Sequence, residues 1–291
     1  MDYRADEQLE FLSQLLDSEQ FRQSSFNSQA GQSALNEREH SWQTQREAED
    51  AQANSAYSPS PIDIRPDSGR ERRKGIPEVI LAETKTNEQI LAMARGLLAG
   101  SGRAIISRLR TESIAVVREA FQEYSIRTRE AARAMVIYAP TYERHATGGH
   151  IGVISAGTSD MPVAEEAVLI AEEMGCTVTP IYDVGVAGLH RLLPPLRDLL
   201  ASNVDAIIVA AGMDGALPSV VSGLVPVPVI GLPTSIGYGM GGKGVAALLS
   251  MLQTCAPGLS VVNIDNGVGA GSTAALIANR VALARREHQS Q

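Results

Sequence analysis

Five segments of this chain set nucleophilic, acidic or basic side chains beside runs of small residues. In Gly157-Thr158-Ser159-Asp160-Met161-Pro162, small residues let a backbone approach a ligand, and a helix opening at Pro162 aims free N–H groups that favour an anion. Capping of that helix by Ser159 or Asp160 explains the same residues, and both readings stand. Tyr182-Asp183-Val184-Gly185-Val186-Ala187-Gly188-Leu189-His190-Arg191 brings a proton carrier and a guanidinium to a helix start, although a lone histidine is as often structural. Asp214 stands between glycines ahead of a third helix, as a cap or as a carboxylate that moves protons from a dry pocket. Residues 233–244 run Pro-Thr-Ser-Ile-Gly-Tyr-Gly-Met-Gly-Gly-Lys-Gly, a nest for phosphate with Ser235, Gly237 and Gly239 as contacts. That spacing matches neither the dinucleotide fingerprint nor the P-loop, so a plain mobile loop is the alternative. Cys255 follows the next helix and is either a nucleophile or a small buried hydrophobe, whereas Cys176 opens a strand after Gly175 and reads as inert core. The five histidines do not pair at zinc-ligand spacing.

Stepping these segments into place requires a regular scaffold, and from residue 150 onward one is legible. Strands are predicted over Ile151–Ala156, Thr177–Tyr182, Asp205–Ala211, Val227–Leu232 and Leu259–Ile264. They alternate with helices over Pro162–Met174, Gly188–Leu200 (interrupted at Pro194-Pro195), Leu217–Leu224, Lys243–Thr254 and Ser272–Arg286. The alternation implies α/β architecture with a doubly wound parallel sheet, which binds ligands outside the carboxyl ends of its strands. A smaller α/β unit precedes it, with strands over Pro77–Ala82, Ala104–Leu109 and Ala132–Tyr138 and helices over Thr86–Leu98 and Thr111–Tyr124. Residues 1–61 are rich in Gln, Ser, Glu and Asn and are expected to form a loose, disordered arm, with one short helix over Leu9–Leu16. The expected divisions are 1–61, 62–145 and 146–291.

Bulk properties narrow the class. Aromatic residues are only 4% of the chain while hydrophobic residues are 44%, so the core must be aliphatic, as in parallel sheets under Ala-rich helices. A net charge of -8 without a basic cluster argues against a nucleic-acid partner. Two cysteines imply no disulfide framework and a reducing compartment. With a polar N-terminus and no apolar run of the roughly 20 residues that span a bilayer, a soluble cytoplasmic protein is expected.

Ser159-Asp160-Met161-Pro162, His190-Arg191 and Leu248-Leu249-Ser250 resemble the catalytic subunit of phosphoribosylaminoimidazole carboxylase, a flavodoxin-like enzyme of purine (IMP) biosynthesis. Longer stretches resemble the LarB family: Ser155–Asp160, Asp183–Arg191, Val262-Asn263-Ile264-Asp265-Asn266-Gly267, and Arg72–Ile80 with Lys85-Thr86. Together they cover residues 62 to 285. The resemblance implies an enzyme that carboxylates the pyridinium ring of nicotinate adenine dinucleotide with CO2 and hydrolyses its phosphoanhydride to release AMP. That reaction starts synthesis of the nickel-pincer nucleotide cofactor. It implies Cys255 as a covalent nucleophile at the pocket, Asp214 as base and His190 as CO2 binder or proton relay. Ser159 and Asp160 would hold the ribose or its phosphate, with Thr158, Arg191, Ser235, Gly237 and Gly239 as further contacts. No organic cofactor is implied; Mg2+ enters by analogy, as charge neutralisation for the anhydride. A homo-oligomer, an octamer by analogy with the purine enzyme, is expected, because the Ala/Leu-rich last helix would be exposed in a monomer. The family carries Glu where this chain has Asp214, one methylene shorter. Two alternatives follow: the purine-pathway carboxylase or mutase, and a nucleotide-binding regulatory module without turnover.

Overall fold

Short apolar runs buried on both faces form the centre of the first sheet of the protein, whose computed structural model describes residues 64–289. The expected arm and its Leu9–Leu16 helix lie outside the described residues. Strands β1 (Val79–Leu81), β2 (Arg103–Ser107), β3 (Ser125–Arg129) and β4 (Ala134–Tyr138) pair in the order β1-β2-β4-β3. β1 and β2 are parallel and the other pairs antiparallel. A basic helix α1 (Arg70–Lys74) precedes the sheet, and α2 (Asn87–Ser101) and α3 (Thr111–Ala120) connect its strands. A capping box starts α2: the Gln89 N–H donates to the Thr86 hydroxyl, and the Thr86 N–H donates to the Gln89 side chain.

Two elements here lack the expected apolar signal. The helix predicted to Tyr124 stops at Ala120, and β3 follows with Ile126 as its one large apolar residue. It is an edge strand held by the charges on Arg127 and Arg129, which periodicity does not detect. α1 is likewise fixed by ion pairs, Arg70 and Arg73 to Asp67 and Glu71 to Arg103.

The second sheet is five-stranded and parallel throughout, in the order β6-β5-β7-β8-β9. Its strands are β5 (His150–Ser155), β6 (Thr177–Ile181), β7 (Ala206–Ala211), β8 (Val229–Pro233) and β9 (Leu259–Val261). Counted within this sheet the order is second, first, third, fourth, fifth, the flavodoxin-like arrangement. Helices α4 (Met161–Glu173) and α8 (Gly267–Gln289) cover one face; α5 (Leu193–Ala201), α6 (Leu217–Ser222) and α7 (Val245–Leu252) cover the other. Along β7, Ala206, Ile208 and Ala210 enter the first of these cores, and Ile207, Val209 and Ala211 the second.

Pro194 and Pro195 do not interrupt a helix. They sit in the first turn of α5, where no intrahelical N–H is needed, and a separate 3-10 turn over Val186–Arg191 precedes them. α8 starts at Gly267, ahead of the expected Ser272, because its glycines bring it against α4: a Cβ on Gly267 would lie 2.6 Å from the Val163 carbonyl oxygen. Buried Ala270, Ala274, Ala275, Ala278 and Ala282 show that the Ala-rich face of α8 is packed within the chain. The most exposed apolar stripe lies instead on α7, at Val245, Leu249 and Leu252.

The two sheets share a core. Ile105, Ala134 and Val136 pack with α4 and α8, while their neighbours Ala104, Ile106, Met135 and Ile137 face α2 and α3. Layers therefore alternate as helices, sheet, helices, sheet, helices. A seam of charge joins the first sheet to α4, with Arg103 on Glu173 buried and Arg127 and Arg129 on Glu172 half-buried. No helix among the described residues is long and apolar enough to cross a membrane.

Candidate active site

Parallel strands put all their carboxyl ends on one edge, so the loops after β5, β6, β7 and β8 converge without further design. A cleft of about 510 Å3 opens there, lined by Ser159, Asp160, Arg191, Asp214, Gly237 and Tyr238 over a floor of small residues that includes Ala156, Gly185 and Gly212. The cleft lies where the strand order reverses around β5. Non-glycine residues adopt the left-handed backbone region at Asp183 (φ 58), Met213 (φ 51) and Asp265 (φ 55), after β6, β7 and β9. Such conformations concentrate where a loop is held for function. Gly212 has no alternative, since a Cβ would fall 2.2 Å from the Ile236 carbonyl oxygen.

Asp160 is buried, and its carboxylate ties strand ends together. The Thr234 hydroxyl donates to Oδ1 at 2.6 Å and the Gly157 N–H to Oδ2 at 2.9 Å. Burial pushes its carboxyl above the usual carboxylate range, while the Thr234 hydroxyl and the Gly157 and Gly212 N–H groups act against that shift. Expected as a ligand holder, Asp160 therefore lines the cleft with both oxygens already engaged by the loops after β5 and β8. Arg191 donates to Asp183 at 2.9 Å at the exposed lip. Asp214 is exposed to the cleft, where Oδ1 accepts only a long 3.4 Å bond from the Ala216 N–H of its own loop. A carboxylate facing a cleft between Ser159 and Arg191 can bind a cation or accept a proton.

Not every expected residue reaches this cleft. Thr158 is exposed on its 3-10 turn, and His190 is exposed beside Arg191 without lining the cavity. Gly239 has nothing within 4 Å of its would-be Cβ, so the glycine-rich loop contributes Gly237 and Tyr238 rather than a closed nest. The larger correction concerns Cys255, expected at the pocket. It is exposed and lies at the amino edge of the sheet, opposite the cleft. The reason is directional. α7 starts after β8 and carries the chain back about 12 Å at 1.5 Å per residue, delivering Cys255 to the start of β9. Its neighbours confirm the edge: the Gly258 carbonyl accepts from Val229, the first residue of β8, and the Pro257 carbonyl from Ser222, the last of α6.

Ser235 lines a second cavity, of about 270 Å3, which shares Ser159 and Ile236 with the first. Its other walls include Glu83, Arg108, Arg133, Glu166 and Asp265. Arg108, also left-handed (φ 55), donates to Glu166 at 3.1 Å and to the Asp265 carbonyl, and Asp265 in turn accepts from the Ser235 N–H at 2.8 Å. The first sheet thus reaches the loop after β8. Sequence reading missed Arg108, Glu166 and Thr234, because their partners lie 58 or more residues away and leave no local pattern. Among the described residues no group of three or more His, Cys, Asp or Glu side chains could hold a metal ion.

The two thiols should react very differently. Cys176 is buried, donates to Asn279 Oδ1 at 3.2 Å, and burial pushes its thiol up to about 11. Brief iodoacetamide treatment of folded protein at pH 8 is expected to alkylate Cys255 and leave Cys176 free until denaturant is added, as read by peptide mass spectrometry. Comparable labelling of both would refute this packing.

Residues 150–291 match the AIR carboxylase family, and residues 63–139 match the LarB/PurE-like N-terminal domain. An uncharacterized protein of Methanocaldococcus jannaschii is 42% identical over 217 residues, 73% of this chain and 82% of that protein. The N5-carboxyaminoimidazole ribonucleotide mutase of the same organism is 32% identical over 139 residues, 47% of this chain and 82% of the mutase. That of Thermotoga maritima is 30% identical over 134 residues, 44% of this chain and 73% of the mutase.

Proposed function

Because this chain belongs to the LarB-type family, with an AIR carboxylase-like domain behind a LarB/PurE-like N-terminal domain, we propose that it carboxylates the pyridinium ring of nicotinate adenine dinucleotide and hydrolyses the phosphoanhydride to release AMP. This is the entry step of nickel-pincer cofactor synthesis. A carboxylase-related function is the coarser statement that family membership carries. The observation that supports the finer one is the cleft itself: Asp214, Arg191 and Ser159 arrive from three strand ends around a space sized for one nucleotide.

A pyridinium ring is electron-poor, and none of its carbons attacks CO2 unaided. Addition of a thiolate to the carbon beside the nitrogen forms a C–S bond and turns the ring into a dihydropyridine. The neighbouring carbon then bonds to CO2, Asp214 takes the proton from that carbon, and the C–S bond breaks as aromaticity returns. Hydrolysis is separate: water attacks phosphorus and the anhydride P–O bond breaks, releasing AMP. His190 is exposed next to Arg191 and does not line the cleft, so a role as proton relay fits it better than contact with the ring.

Cys255 cannot supply the thiolate to the cleft of its own chain. The proposal therefore requires a homo-oligomer, an octamer by family analogy, in which a second copy presents Cys255. Support comes from α7, whose exposed stripe of Val245, Leu249 (59% exposed) and Leu252 (63% exposed) leads directly into Cys255. Association through that stripe would carry the thiol to a neighbour.

Incubation of the protein with nicotinate adenine dinucleotide and bicarbonate is expected to yield a carboxylated mononucleotide and AMP by mass spectrometry. Turnover of aminoimidazole ribonucleotide alone would replace this reading with the purine-pathway one. Binding of nucleotide without turnover of either would leave a regulatory module.

A further inference from the structure

The AIR carboxylase family match, residues 150–291, holds the second sheet alone, whereas this chain adds a first sheet that builds one wall of the cavity of about 270 Å3. Glu83, Arg108 and Arg133 come from the added unit; Ser159 and Ile236 are shared with the larger cleft. The two cavities are thus neighbours across the Ser159 turn. A mononucleotide needs one cavity, and a dinucleotide has two halves to place.

We propose that this second cavity takes the departing 5′-nucleotide of a dinucleotide substrate, with Arg133 as the cation for its phosphate and the anhydride lying over the shared Ser159 wall. The inference rests on the dinucleotide reading above and extends it. Charge accounting selects Arg133. Arg108 is committed to Glu166 and the Asp265 carbonyl, Glu166 also accepts from the Ser107 hydroxyl at 2.6 Å, and Asp265 accepts from the Ser235 N–H. The remaining pair, Arg133 and Glu83, is 3.9 Å apart with both side chains 55% exposed, a loose contact that an anion displaces at little cost. The cavity is smaller than those that enclose whole drug-sized ligands, so it fits the phosphate and sugar and leaves the base outward.

Titration calorimetry of the full chain with AMP tests the site independently of catalysis. Wild-type protein is expected to bind AMP, and saturation with nicotinate mononucleotide should leave that affinity within about twofold, since the halves occupy different cavities. Arg133→Ala should weaken AMP about tenfold, Arg133→Lys less, and Glu83→Gln should tighten it by removing the competing carboxylate. Both positions are half exposed, so the variants should melt with the wild type. No AMP binding at millimolar concentration, competition between AMP and nicotinate mononucleotide, or indifference to both Arg133→Ala and Glu83→Gln would overturn the proposal. AMP binding that depends on Arg133 in a protein that does not carboxylate the dinucleotide would instead sink the functional reading and keep the site.

Discussion

Cys255→Ser protein is expected to lose carboxylation of nicotinate adenine dinucleotide by about a thousandfold or more, and to regain it when assembled with an equally inactive partner. The loss follows from chemistry: a serine hydroxyl is scarcely ionised at neutral pH and cannot form the ring adduct. Substrate affinity should persist, because Cys255 lies at the opposite sheet edge from the cleft residues of its own chain. The recovery follows from position. In mixed assemblies of Cys255→Ser and Asp214→Asn chains, a cleft carrying Asp214 can meet a neighbour carrying Cys255. Random mixing makes about a quarter of sites complete. Co-expression with two affinity tags, tandem purification and a carboxylation assay measure this. Activity that stays at the level of the single variants would show that no thiol crosses between subunits. Full activity of Cys255→Ser alone would remove the covalent step.

Arg103→Met is expected to cost about 3–5 kcal/mol of stability, lowering the melting temperature by about 10 °C in a chain of this size. Arg103 is 3% exposed, and its guanidinium donates to Glu173 Oε2 at 3.0 Å, to the Glu173 carbonyl and to Glu71 at 2.7 Å, with Tyr142 stacked beside it. Removing it takes the nearest cation from the Glu173 carboxylate, whose side chain is 0% exposed and is left with the Tyr138 hydroxyl at 2.7 Å and the more distant Arg127 and Arg144 at 3.5 and 3.8 Å. An apolar replacement of both partners, Arg103→Met with Glu173→Leu, should recover most of the loss, since the under-compensated buried charge rather than the missing bond carries the cost. Thermal melts of the single and double variants decide it; equal losses in both would assign the effect to packing alone.

The scaffold was legible because its information is local. Continuous apolar runs such as Ala206-Ile207-Ile208-Val209-Ala210-Ala211, alternating with helices, and the small-residue turns that follow each strand are enough to define a parallel sheet and the edge where Ser159, Asp160, Arg191 and Asp214 meet. The same counting places Cys255: one helix after β8 the chain is back at the amino edge, so Cys255 does not share the cleft of its own chain. Edge strand β3 and helix α1 left no apolar period, as charge pairing holds both.

By itself, the sequence determined the order of strands and helices, the aliphatic core and the set of loops that can touch a ligand, all properties of neighbours within a few turns of chain. Only the tertiary structure decided that Asp160 spends its carboxylate on Thr234 and Gly157, that Arg108 reaches across to Glu166 and Asp265, and that a second cavity opens beside Ser159. Apart from the local Gly157 bond, those contacts join residues tens of positions apart, and those of Arg108 exist only once the two sheets dock about α4 and α8.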